Sequence, residues 1–214
     1  MAKRIQIDFV SDVVCPWCAI GLRGLETALE KLDGEVEADI HFQPFELNPQ
    51  MAPEGESRDE HIAKKYGQTP AQTAAVRERI RERAASVGFT MSGAQDHIYN
   101  TFDSHRLIHW AGLEGKQAAM KHALLKAYFT DGLNIADREV LVKKAEEAGL
   151  DPRAAREVLE SGRYAEDVRQ EEQSWISAGI NSVPAVIVNR QYLISGGQPP
   201  EVFEESLRQI AAKV

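Results

Sequence analysis

The chain contains two cysteines, Cys15 and Cys18, and they lie three residues apart in "VSDVVCPWCAIGLRGLETAL" (10–29). Three chemistries fit that spacing. The pair could cycle between dithiol and disulfide, supply half of a zinc site, or sit as two inert thiols in a core. What precedes and follows the pair favours the first. A strand ends near Val13 and a helix begins near Pro16, which makes Cys15 the N-cap of that helix. Unpaired amides and the positive end of the helix dipole favour a thiolate at such a position. The thiolate, not the thiol, is the nucleophile. The expectation is therefore that Cys15 is the exposed, attacking sulfur and that Cys18, one turn further on, is the buried resolving thiol. Pro16 fits the first helical turn, where its missing N–H costs nothing. Trp17 either offers an apolar surface to a substrate or packs as an ordinary core residue.

The zinc alternative needs two more ligands. "HRLIH" sets His105 and His109 four apart on one helix face, which would complete a Cys2His2 set. Against it, zinc CxxC pairs sit on knuckles or ribbons rather than at a strand–helix junction, so no metal is expected.

Residues 4–10, "RIQIDFV", read as a strand, and residues 16–32 carry an apolar stripe of Ile20, Leu22, Leu25, Ala28, Leu29 and Leu32 with Gly34 as its stop. "VEADIHFQ" (36–43) reads as a second strand, joined to the first by a helix and so expected to be parallel to it. "PFELNPQMAPEG" follows as an exit loop. Residues from about 57 to 178 read as six or seven helices. Capping boxes are expected at Ser57–Glu60 and Thr69–Gln72, and a further helix start at Asp151-Pro152 after a stop at Gly149. Strand character returns in "PAVIVN" (184–189) and "YLIS" (192–195), flanking "RQ" as a tight turn. A last helix opens at Pro200 with Val202, Phe203, Leu207 and Ile210 as its apolar stripe.

Pro184 opens one of these late strands, where it cannot donate to the ladder. An edge strand would tolerate it. A cis Val183–Pro184 bond would instead bring a backbone edge beside the cysteines, with the N–H and C=O of Val183 free to pair with an extended peptide.

The charge balance is 25 basic against 33 acidic residues, net -8, which repels phosphate backbones and argues against nucleic acid as a partner. No apolar run is long enough to span a membrane. The opening "MAKRIQIDFVSD" lacks a secretory h-region, so a cytoplasmic protein is expected. A cysteine pair in that compartment is catalytic or metal-binding more often than structural. Its reducing pools keep the pair as a dithiol, which favours reduction or isomerisation of disulfides over net oxidation.

"CPWC" at a strand–helix junction, "SVPAVIVN" before a hairpin and "SGGQPPEVFEESL" into the last helix resemble the DsbA-like thioredoxin-fold oxidoreductases. "PFELNP" (44–49) and "NTFDSHRLIHWA" (100–111) look like the FrnE-like cytosolic branch of that family. The resemblance implies an α/β thioredoxin fold with a large all-helical insertion between an N-terminal βαβ half and a C-terminal ββα half. In this chain the N-terminal half would span residues 1–50, the insertion 51–178 and the C-terminal half 179–214. It further implies Cys15 as nucleophile, Cys18 as resolving thiol and Pro184 as a cis-proline, with Pro16, Trp17 and Val183 beside the substrate. Protein or small-molecule disulfides would be the substrates. No cofactor beyond the cysteine pair is implied, with glutathione as a possible thiol co-substrate and a monomer or homodimer as the assembly.

The related kappa-class glutathione transferases and 2-hydroxychromene-2-carboxylate isomerases are similar in the Val-Pro and the insertion. They typically carry serine, without a second cysteine, where this chain has Cys15 and Cys18, so a glutathione-dependent transferase or isomerase is the alternative function. Gly196, Gly197 and Gln198 fall at a position similar to one those relatives use for glutathione, but turn and helix-entry geometry is the preferred reading of them. Asp8 and Asp12 are both placed to be the buried acid that thioredoxin-fold enzymes often keep beneath the dithiol.

Overall fold

The computed structural model describes residues 2–52 and 54–213. Met1, Pro53 and Val214 lie outside the described residues, and with them the reading of the chain start and one proline of the exit loop. The central sheet has the order β2-β1-β5-β6, built from β1 (Lys3–Ser11), β2 (Val36–Pro44), β5 (Ala185–Val188) and β6 (Tyr192–Ser195). β1 runs parallel to β2 and antiparallel to β5, and β5 and β6 form an antiparallel hairpin. A parallel pair needs a crossover, and α1 (Pro16–Lys31) supplies it. Sequence-distant strands thus lie side by side, with Val10 opposite Ala185 and Phe9 opposite Val186.

Alternation along β1 gives the sheet two different faces. Ile5, Ile7 and Phe9 share one face with Val186 and Val188, and belong to the same core as Leu22 and Leu25 of α1 and Phe203 and Leu207 of α9 (Pro200–Ala211). Burial of each such side chain stabilises the fold by about 1.5–3 kcal/mol. Val10, Ala185 and Ile187 belong to the other face, against Ile180, Phe45 and Trp175.

Between β2 and β5 the chain forms seven helices among the described residues: α2 (Arg58–Tyr66), α3 (Pro70–Ser86), α4 (Phe102–Leu113), α5 (Gln117–Phe129), α6 (Arg138–Glu147), α7 (Pro152–Ser161) and α8 (Ala165–Ser177). The insertion is not all-helical, because β3 (Glu56–Ser57) and β4 (His97–Ile98) pair as a two-residue antiparallel ladder. That ladder also explains why one predicted capping box is missing. Ser57 is held in it opposite His97, and its side chain makes no cap hydrogen bond to α2. At α3 the box forms as predicted: Thr69 accepts from the Gln72 amide, and the Gln72 side chain accepts from the Thr69 amide.

Two further details differ from the sequence reading. The β5–β6 turn centres on Asn189 and Arg190, both with positive φ (51° and 55°), and closes by Gln191 N–H donating to Val188 C=O at 3.0 Å. This is the primed geometry that matches strand twist, reached one residue earlier than "RQ". On α9, Val202 faces out while Phe203, Leu207 and Ile210 are buried, because the contact stripe on this helix is narrower than four residues.

Candidate active site

The cysteines sit where β1 hands over to α1. Cys15 is the N-cap of α1 in extended conformation, and Pro16 takes the first helical position. Cys15 N–H donates to Asp12 C=O at 3.3 Å, and Cys15 C=O accepts from the amides of Cys18 and Ala19. Both cysteines are free thiols. A hydrogen bond from the Cys18 side chain is the main influence holding the Cys15 thiol below its ordinary value. Burial and the Asp12 charge oppose it, and the backbone amides of Cys18 and Trp17 add to it. These are the helix-terminal donors that the N-cap position promises. Burial pushes Cys18 the other way, well above an ordinary thiol, and sharing its proton with Cys15 pushes it further.

Cys15 is not the open sulfur of the sequence reading: the residue is only 4% exposed. The cover comes from the loop before β5. The Cys15 S–H donates to Val183 C=O at 3.8 Å, and the Val183–Pro184 peptide is cis. Trp17 is 41% exposed and does not join the core. Cys15, Pro16, Trp17, Cys18, Val183 and Pro184 therefore lie at one end of the sheet, drawn from segments 168 residues apart.

The approach of that loop to α1 depends on glycines. A Cβ on Gly197 would lie 2.7 Å from Trp17 C=O, and one on Gly21 would lie 3.1 Å from both Gly197 Cα and Pro184 Cγ. Gly196 N–H donates to Pro184 C=O at 2.9 Å. The Gln198 side chain turns back to Ser195 C=O at 2.8 Å. Gly196, Gly197 and Gln198 thus form the turn that seats Pro184 beside the first turns of α1.

Of the two candidate acids, Asp8 belongs to the sheet. Its carboxylate accepts from Gln43 Nε2 at 2.7 Å and lies 3.7 Å from Arg190 Nε. Asp12 lies beneath the dithiol and is fully buried. Its Oδ1 accepts from Val13 N–H at 2.7 Å and meets His105 Nε2 at 3.3 Å; its Oδ2 accepts from Leu47 N–H at 2.8 Å. Burial is the largest single influence and pushes the Asp12 carboxyl up. His105, Leu47 and Thr101 together outweigh it and leave the group below its ordinary value.

His105 and His109 each face a carboxylate: Asp12 for His105, and Glu171 at 3.3 Å for His109. Among the described residues no group of three or more His, Cys, Asp or Glu side chains is spaced to hold a metal. Two buried polar residues that the sequence alone does not single out are Lys121 on α5 and Glu46 after β2. Lys121 left a trace, since it falls in the apolar run of Met120, Leu124, Leu125 and Tyr128 where a solvated lysine would be out of place.

A mixed sheet of this order, with a cysteine pair at the start of its first helix and a cis-proline opposite, defines a thioredoxin-like fold. A family model described as a DSBA-like thioredoxin domain matches residues 6–208, and the chain belongs to that family of oxidoreductases. It is similar to a probable DsbA oxidoreductase from Streptomyces coelicolor, 32% identical over 98% of this chain and 91% of that one, with a TM-score of 0.93. The YwbO protein of Bacillus subtilis is 29% identical over 95% of this chain and 96% of its own length. A cytosolic disulfide reductase, DsbM from Pseudomonas aeruginosa with glutathione, shares the fold at 19% identity, covering 98% of this chain and 100% of that one with a TM-score of 0.61. No helix among the described residues is long and apolar enough to cross a membrane.

Proposed function

We propose that this chain is a thiol–disulfide oxidoreductase that reduces or isomerises disulfides of proteins or small molecules in the cytoplasm. The Cys15 thiolate attacks one sulfur of a substrate disulfide. A Cys15–substrate bond forms as the substrate S–S bond breaks, and the departing sulfur leaves as a thiolate and takes a proton. Cys18 then attacks Cys15, the Cys15–Cys18 disulfide forms, and the substrate is released reduced by two electrons. Two glutathione thiols, or another thiol donor, return the pair to its dithiol form. In isomerisation the freed substrate thiolate attacks another disulfide of the same substrate, a substrate thiolate so released then attacks the mixed disulfide and displaces Cys15 as a thiolate, and Cys18 stays idle.

The observation that carries this reading is the setting of the Cys15 sulfur. It is held below its ordinary thiol value at the N-cap of α1 and lies 3.8 Å from the carbonyl of Val183. Val183 borders the cis-Pro184 loop and is placed to align an extended substrate by backbone pairing, while Pro16 and Trp17 present the apolar edge beside it. The glutathione-bound DsbM structure, a likeness of fold, is consistent with glutathione as the returning thiol.

The two steps separate experimentally. In Cys18→Ser the first attack proceeds and the second cannot, so a Cys15–substrate mixed disulfide accumulates and is read by intact-mass spectrometry. Cys15→Ser/Cys18→Ser forms none. Full two-electron reduction of substrate by Cys18→Ser would contradict the division of roles.

A further inference from the structure

Asp12 joins the dithiol to the helices between β2 and β5. Its C=O accepts from Cys15 N–H at 3.3 Å, a turn hydrogen bond that keeps the two Cα atoms within about 7 Å. Asp12 is fully buried, so solvent does not screen its charge from the sulfur. Two of the donors to its carboxylate are backbone amides, Val13 at 2.7 Å and Leu47 at 2.8 Å. The third is a side chain, His105 on α4, with Nε2 3.3 Å from Oδ1 and the residue only 2% exposed. A carboxylate only accepts, so the hydrogen of this pair sits on His105 Nε2.

α4 is pinned on both sides of that ring. Ser104 Oγ donates to Ile135 C=O at 2.9 Å, and Arg106 Nε donates to Arg163 C=O at 2.9 Å. The other titratable groups that face Asp12 are Cys15 and Cys18, Lys121 and Tyr128 of α5, and Glu46 after β2. Among the described residues none of their side chains hydrogen-bonds its carboxylate. Glu46 is the second buried carboxyl of this corner. Its Oε1 is held by Arg169 of α8, its Oε2 is buried without a partner, its backbone N–H donates to Glu172 of α8, and burial pushes the group up. It makes no hydrogen bond to His105, so the ring serves Asp12. An Asp12 charge opposes the Cys15 thiolate. Opposing the thiolate disfavours the dithiol relative to the disulfide and makes the pair more reducing.

We propose that His105 is a positioning residue for the dithiol: by donating Nε2–H to Asp12 Oδ1 it keeps a fixed carboxylate charge at the foot of Cys15, and through it α4 helps to set how reducing the pair is. The proposal rests on the dithiol reading above. On this account the chain between β2 and β5 acts on the redox step and is not only a wall beside it.

The test follows the Asp12 carboxyl-carbon NMR signal against pH in the reduced protein. In His105→Leu the buried carboxylate loses a donor, and its midpoint should rise by about one pH unit or more. Below that midpoint Asp12 is neutral, so iodoacetamide labelling of Cys15 at pH 5 should exceed the parent's by about threefold or more. His105→Gln restores an N–H donor and should bring the labelling to within about twofold of the parent. A histidine that only filled space would change the melting temperature and leave the Asp12 midpoint where it is. An unchanged midpoint in His105→Leu, no recovery in His105→Gln, or an equal rise in Glu46→Gln would overturn the role of His105.

Two further measurements leave His105 in place. In the parent, long-range proton–nitrogen NMR should show a hydrogen on His105 Nε2 from pH 5 to 8, on the order of the range in which the enzyme works; a bare Nε2 would overturn the proposal. In Asp12→Asn the glutathione equilibrium should move toward the dithiol by about threefold to tenfold, and a move toward the disulfide would break the link from the charge to the pair. The dithiol reading fails on a separate result, undiminished exchange in Cys15→Ser.

Discussion

Cys15→Ser is expected to lower thiol–disulfide exchange by on the order of 10³-fold or more while leaving the fold intact. A hydroxyl at this position cannot form the covalent intermediate, so residual turnover would come only from substrate binding near Cys18. The stability arm makes the result specific. Cys15 occupies the N-cap of α1 and makes no side-chain cap hydrogen bond. Serine is a preferred N-cap whose oxygen accepts from an amide of the first turn, and such caps contribute about 0.5–2 kcal/mol. The variant should therefore melt at the same temperature as the parent or higher, while its exchange activity, followed as precipitation of reduced insulin, is lost. Lost activity with an unfolded protein would say nothing for a nucleophile; retained activity would remove Cys15 from the mechanism.

Gly197→Ala should damage the site without touching either cysteine. The added Cβ would meet Trp17 C=O at 2.7 Å and Gly21 N at 3.5 Å, both backbone atoms of the helix that carries the dithiol. Backbone cannot swing aside as a flexible side chain can, so the β6–α9 turn and α1 must separate. Gly24 repeats the constraint one turn on, where a Cβ would lie 2.8 Å from Gln198 C=O. Overpacking of this kind costs about 1–3 kcal/mol. The turn also holds Pro184 through the Gly196 N–H, so the separation shifts Val183 away from the Cys15 sulfur. Misplacing a substrate-aligning group by a fraction of an ångström to an ångström lowers kcat/KM by about 10- to 100-fold. Denaturant unfolding and disulfide-reduction kinetics on the same preparation check both parts. If neither changes, the close approach is not a constraint on the site.

Local features of the chain were legible wherever the chemistry was local. Ile5, Ile7 and Phe9 alternate because β1 is covered differently on its two faces. The Cys15-Pro16 pair marks a helix start through rules that need no tertiary partner, and so does Thr69-Pro70. The cis-proline loop could be read only through Pro184 as a strand-opening residue without a donor. Two-residue ladders such as Glu56–Ser57 with His97–Ile98 carry no periodicity, so β3 and β4 leave no signal in the sequence and Ser57 reads there as a cap. The cover over Cys15 was hidden for the opposite reason. It comes from Val183, brought in by the antiparallel pairing of β5 on β1, which no local pattern states. His105 reads as half of a metal-ligand spacing in sequence, and only the packing of α4 shows its ring turned to Asp12. Lys121 reads as a charge within an apolar run, but its burial is set by how α5 packs against α4, α6 and β2.

The central claim is that Cys15 is an activated thiolate paired with a protonated, buried Cys18. The rate of iodoacetamide labelling at each cysteine against pH, resolved by peptide mass spectrometry on the reduced protein, tests it most directly. Labelling of Cys15 should rise through a midpoint below the free-cysteine value of about 8.5, with Cys18 unlabelled until well above that value. A Cys15 midpoint at or above the free-thiol value, or equal labelling of the two sulfurs across the range, would contradict the account.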